Sequence, residues 1–186
     1  MEPDLSNAAP FLAAAVVTGG AVTVPGWPER TTQPGDGLPE LLSRMGARVE
    51  RDADAVTVAG TGSIGGLDVD LRNVTELATV IAAIAAVADG PSRLRGLAHT
   101  RGHETDRIVA LATELRRLGG SVTELDDGAG HHATSTARRG LARVRRPSNG
   151  DRVARCSGLL VDGVRVDDIS VTSKTRCPTS PPCGPG

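Results

Sequence analysis

Aromatic side chains are almost absent from this 186-residue chain: Phe11 and Trp27 are the whole inventory, and there is no tyrosine. A core must therefore be built from Ala, Val, Leu and Ile, which suits tightly packed helices. Lysine is nearly missing too. Lys174 is the single one, and every other basic side chain is arginine; with the abundance of Ala, Gly and Val this has the look of a high-GC coding sequence. The net charge of -1 removes any electrostatic argument for nucleic acid or an anionic membrane as partner. No apolar run reaches the roughly 18 residues that a membrane span needs. No charged segment followed by an apolar one opens the chain, so a soluble cytoplasmic protein is the expectation. The three cysteines, Cys156, Cys177 and Cys183, fall in the last 31 residues. An odd number without a secretory signal gives no disulfide framework. Cys177 and Cys183 lack the C-x-x-C spacing of a metal site, and neither a metal nor a cofactor is expected.

What the chain does have is a repeat of about 70 residues. An Ala-rich helix, a Gly turn, a short strand and a second helix read FLAAAVVTGGAVTVPG and LPELLSRMGARVE, then TVIAAIAAVADGPSRLRGL and IVALATELRRLGGSVTE. A third copy begins at LLVDGVRVDDI, so that Gly20, Gly90 and Gly163 stand at nearly even intervals. A period this long means stacked supersecondary units, none able to bury its apolar face alone. Helices are predicted over 5–18 (capped by Ser6 or Asn7), 38–45, 74–88 and 104–118. Strands are predicted over 21–24, 47–51, 54–59, 67–71, 92–97 and 121–124. The 47–59 pair reads as a hairpin, and the Gly-rich 59–66 as a hairpin connection rather than a phosphate loop. Helices alternating with strands predict an α/β fold of helices layered on sheets. From Gly128 to about Cys156 the patterning lapses, in a stretch with seven arginines and one acidic residue, Asp151. Residues 159–175 are patterned again, and the Pro/Gly-rich 176–186 reads as a disordered tail.

Three short segments interrupt the repeat with chemistry. Asn73-Val74-Thr75-Glu76 opens one helix, Arg101-Gly102-His103-Glu104-Thr105-Asp106-Arg107 opens another, and Thr172-Ser173-Lys174-Thr175 follows a strand. Two of them stand at helix N-termini, where backbone N–H groups and the macrodipole favour anions. Together they offer carboxylates, an imidazole, a guanidinium and an ammonium, a set fit for proton transfer beside an anionic substrate. Each has a plainer reading. Asn73 with Glu76 is a capping-box pattern, Glu104 with Arg107 is an i, i+3 surface pair, and His103 and Lys174 are side chains of kinds common on surfaces.

The string R-G-H-E-T-D-R leading into a helix that ends E-L-R-R-L-G has D-L-S-N-A-A-P-F-L-A-A-A upstream and S-K-T downstream. In these the chain resembles 5-enolpyruvylshikimate-3-phosphate synthase of the high-GC bacterial type, over 1–127 and 159–175. The resemblance implies an enolpyruvyl transferase lobe of repeated βαβαββ units about a pseudo-threefold axis. It implies two intact units in 1–127, a damaged third (128–158 irregular, 159–175 a remnant), and a start where the family's chain crosses into its second lobe. It further implies transfer of the enolpyruvyl group from phosphoenolpyruvate to the 5-hydroxyl of shikimate 3-phosphate, with neither metal nor organic cofactor. Glu76 then matches the acidic residue on the shikimate 5-hydroxyl, commonly assigned as its proton acceptor. His103 matches a residue binding shikimate 3-phosphate, and Glu104 a catalytic glutamate that moves protons to and from the enolpyruvyl methylene. Arg107 and Lys174 match phosphoenolpyruvate-binding cations, and Asp4 an aspartate near the crossover.

The family's first lobe, its D-H-R-M-A segment and the L-P-D-F-P after S-K-T have no counterpart here. A displaced reading frame accounts for the last two. Codons exist for Leu141 to Asp151 that, shifted by one base, read W-H-A-Y-A-D-H-R-M-A-T. Codons for Arg176 to Gly184, shifted by two bases, read L-P-D-F-P-A-L-W-A. The expectation is a second lobe alone, inactive by itself, with a separately encoded first lobe as the partner to look for. Rival readings are the sister transferase acting on UDP-N-acetylglucosamine, disfavoured by H-E-T-D-R and S-K-T, and an inert, non-catalytic pseudogene product.

Overall fold

The computed structural model describes residues 4–102, 106–117, 120–132, 143–144 and 165–166. A single turn of 3-10 helix, Leu5–Asn7, leads into helix α1, Ala9–Thr18. The turn is capped by Asp4, whose carboxylate accepts from the Ser6 N–H; neither Ser6 nor Asn7 caps α1. Pro10 occupies the first turn of α1 instead, where its missing N–H costs nothing. Gly19, at φ 74°, ends the helix in the left-handed region that residues with a Cβ avoid.

Strand β1 (Ala21–Pro25), helix α2 (Leu38–Arg44), and strands β2 (Arg48–Arg51) and β3 (Ala55–Ala59) follow. They form a three-stranded antiparallel sheet of order β1-β3-β2, with Val58 opposite both Val22 and Val49. The predicted hairpin is there as β2 and β3. Val56 and Val58 of the central strand are fully buried, the alternation of a half-buried strand.

Residues 59–66 are not a hairpin connection, because they carry the chain from β3 to strand β4 (Asp68–Asp70) in a different sheet. The glycines there serve close approach. Gly60 lies against the Ala15 and Val16 carbonyls of α1, and Gly66 against the Pro91 carbonyl, with no room for a Cβ at either.

The second sheet has the order β4-β5-β7-β6, with β5 at Ser92–Arg95, β6 at Ser121–Leu125 and β7 at Gly128–His132. Strands β4 and β5 are parallel and the other pairs antiparallel. Helix α3 (Ala78–Ala85) connects β4 to β5, and α4 (Arg107–Arg117) connects β5 to β6. Strand β7 corrects the expectation that the chain is irregular from Gly128. G-A-G-H-H carries no apolar alternation, yet it pairs on one edge with β5 and on the other with β6. Gly128 lies so close to the Leu94 carbonyl that there is no room for a Cβ.

The two sheets share a plan: β1, β3 and β2 are ordered and paired as β5, β7 and β6 are. Two short strands, β8 (Arg143–Val144) and β9 (Arg165–Val166), pair in parallel as β4 and β5 do. The helices form the interior. Every described side chain of α3 except Thr79 is buried, as expected of a helix that is apolar all round. It packs on α1 and α4 within one continuous cluster that runs from Leu5 to Ala129.

Candidate functional site

Glu76 lies in the 3-10 turn Thr75–Leu77 that leads into α3. The capping-box reading fails, since Val74 stands at the N-cap position and no side chain caps the turn. Glu76 is half-buried as a residue, and its carboxylate has no hydrogen-bond or ion-pair partner among the described residues.

Arg107 is the first residue of α4 and is exposed. A cation at a helix N-terminus faces the wrong end of the macrodipole, and this one has no ion-pair partner among the described residues. It stands at a recess lined by Thr75, Thr79, Leu97, Thr100, Ile108 and Leu111, among others, with about 20 Å³ of free volume, room for one water. Thr100 is buried and donates its hydroxyl to the Leu97 carbonyl at 2.7 Å. Thus the structure brings Arg107 to one recess with Thr75, the neighbour of Glu76.

Asp4 has another duty. It is exposed, and its two carboxylate oxygens accept from the Ser6 N–H at 3.0 Å and the Asn7 side chain at 3.2 Å. The turn that it caps is held to the loop before α2 by the Leu5 N–H donating to Gln33 at 3.0 Å. His103, Glu104 and Lys174 lie outside the described residues. Among the described residues, no group of three His, Cys, Asp or Glu side chains is placed to hold a metal.

Two residues to which the sequence reading assigned no role organise this end of α4. Asp106 accepts from the Ile108 N–H at 3.0 Å and the Val109 N–H at 3.1 Å through one oxygen, capping the helix. Its other oxygen accepts from Arg101 at 2.8 Å. Partial burial alone would raise the Asp106 pKa. The hydrogen bonds from the Val109 N–H, Arg101 and the Ile108 N–H outweigh it and hold the carboxyl below the usual range. An Asp just before an apolar-periodic run is a helix-start signal, so this cap was available to sequence reasoning. Arg101 was not, because its other partners are the Leu125 and Asp126 carbonyls at the end of β6.

The family model described as EPSP synthase (3-phosphoshikimate 1-carboxyvinyltransferase) matches residues 1–176. The chain belongs to the EPSP synthase family. A 3-phosphoshikimate 1-carboxyvinyltransferase of Kocuria rhizophila is 50% identical over 175 residues, 94% of this chain and 39% of the relative. Two structures of EPSP synthase from Acinetobacter baumannii superpose with TM-scores of 0.67 and 0.66. Each is 24% identical and covers 86% of this chain and 40% of that one, a likeness of fold. The mixed α/β architecture is therefore that of EPSP synthases, and the chain spans about two fifths of the length of the relatives it matches. Among the described residues no helix is long and apolar enough to cross a membrane.

Proposed function

We propose that this chain forms one wall of an enolpyruvyl-transfer site, taking phosphoenolpyruvate as donor and the 5-hydroxyl of shikimate 3-phosphate as acceptor. Addition of a hydroxyl to phosphoenolpyruvate needs a group to take the hydroxyl proton and a group to protonate the methylene carbon; loss of phosphate then reverses the second transfer. Glu76 takes the first proton and Glu104 serves the methylene. His103 binds the acceptor's phosphate. Arg107 and Lys174 bind phosphoenolpyruvate, whose carboxylate and phosphate gather charge as the adduct forms. Asp4 stays at the crossover as the cap of the first turn. The fold reading that goes with this is a lobe of βαβαββ units about a pseudo-threefold axis, with the third unit incomplete.

The observation that carries the reading is Arg107, without an ion-pair partner among the described residues, at a recess that it shares with Thr75, the chain neighbour of Glu76. A helix-start arginine in that setting calls for an anion that the described side chains do not supply.

One wall does not position two substrates, and misplacement by about 1 Å costs about 100-fold in rate. The purified chain is therefore expected to show no turnover alone. Mixed with the separately produced remainder of the Kocuria rhizophila relative, it should release phosphate from phosphoenolpyruvate only when shikimate 3-phosphate is present. Glu104→Gln should abolish that release. Turnover by the chain alone would overturn the half-site reading, and turnover with UDP-N-acetylglucosamine as acceptor would overturn the choice of substrate.

A further inference from the structure

We infer that Arg101 and Asp106 act as a pair of positioning residues that hold Arg107 against its recess; the inference rests on the reading of Arg107 as a phosphoenolpyruvate-binding cation. Both side chains are already engaged within the chain. Arg101 donates from all three guanidinium nitrogens, to Asp106 at 2.8 Å, to the Leu125 carbonyl at 2.8 Å and to the Asp126 carbonyl at 3.2 Å. Asp106 gives one oxygen to Arg101 and the other to the Ile108 and Val109 N–H groups.

The first turn of α4 is thereby bolted to the end of β6. The opposite side of the recess is tied to the same place, because the Asp127 carbonyl accepts from the Leu97 N–H at 2.7 Å and the Asp127 carboxylate from the Gly96 N–H at 3.3 Å. Leu97 in turn holds Thr100 through the Thr100 N–H and hydroxyl. The arginine at the mouth and the wall beneath it are thus both referenced to one turn, residues 125–128. The planar fork of Arg101 makes this a three-point attachment, which lysine, a single point donor, does not reproduce. An ion pair in which both partners are about one third exposed is weak support for stability, so its effect is geometric: it fixes where the Arg107 guanidinium sits.

The full 186-residue chain, labelled with ¹⁵N, is titrated with phosphoenolpyruvate and followed at the Arg107 Nε–H and the Ile108 N–H, with thermal stability measured in parallel. Arg101→Lys and Asp106→Asn should each weaken phosphoenolpyruvate about tenfold. The stability-matched core variant Val58→Ala, in the other sheet, should bind as the parent does. Combining Arg101→Lys with Arg107→Gln should weaken binding no further than Arg107→Gln alone, since a residue that works through Arg107 has nothing left to position. If Arg107→Gln weakens binding but Arg101→Lys and Asp106→Asn do not, or if Val58→Ala weakens it as much as they do, the positioning role is overturned while the Arg107 reading stands. If the parent chain does not bind, or Arg107→Gln binds as the parent does, the Arg107 reading fails and this inference with it.

Discussion

At the scale of single residues, Trp27 and Asp106 show how few side chains hold a chain so poor in aromatics. Trp27 is 1% exposed, and its indole N–H donates to Asp36 at 2.8 Å, while Asp36 also pairs with Arg51. Trp27→Phe removes that donor and part of the ring volume, and should cost about 1–2 kcal/mol. As the only tryptophan, Trp27 reports its own environment: the parent should emit at short wavelength when folded and shift to longer wavelength in urea. Asp106 carries a pH signature. Its carboxyl is held below the usual range in the folded chain, so the stabilisation is complete above the unfolded value, about pH 4, and is lost as the pH falls through the lower, folded value. Urea midpoints for the parent and Asp106→Asn should differ at about pH 6 and converge in strong acid; a constant difference would show that the charge of Asp106 is irrelevant. The cap itself is legible from sequence, as an Asp before an apolar run. The arginine that locks it is not, because its two backbone partners lie 24 and 25 residues further along the chain, beyond the reach of any local pattern.

At the scale of elements, α4 and strand β3 were readable from an apolar periodicity that matches a buried face, and α3 from an apolar run long enough to be a buried helix. Strand β7 was not. Its five residues have no alternation to read, and it becomes a strand through backbone pairing with β5 on one edge and β6 on the other, with Gly128 set where a Cβ would meet the Leu94 carbonyl. The same reasoning singles out Gly66, which the Gly-rich connection brings against the Pro91 carbonyl. Gly128→Ala and Gly66→Ala should each destabilise by about 3 kcal/mol through overlap of the new Cβ with a carbonyl oxygen. Gly62→Ala, where a Cβ meets nothing within 4 Å but φ is +85°, should cost only the backbone strain, about 1 kcal/mol. Denaturant midpoints of the three variants check the ranking. A Gly128→Ala chain as stable as Gly62→Ala would mean that β7 does not lie so close to β5.

At the scale of the whole molecule, the reading of 141–151 and 176–184 as displaced frames makes a prediction that needs no protein. The coding strand should spell W-H-A-Y-A-D-H-R-M-A-T one base out of register across the first stretch, and L-P-D-F-P-A-L-W-A two bases out of register across the second. Codons that spell neither string would end the idea. The match of the family model over residues 1–176 shows membership and leaves that test open.

The local order of the polymer was sufficient to determine the alternation of helix and strand, the Ala-rich interior and the family. Each of these is carried by side-chain periodicity or by contiguous strings. Three matters were decided only when distant segments met. The Gly-rich connection crosses between sheets, a featureless G-A-G-H-H becomes an inner strand, and Arg101 reaches from one end of its segment to the end of β6. The physical reason is common to all three: their stabilising partners are backbone carbonyls and N–H groups, which every residue carries alike, so no choice of side chain announces where they will be found.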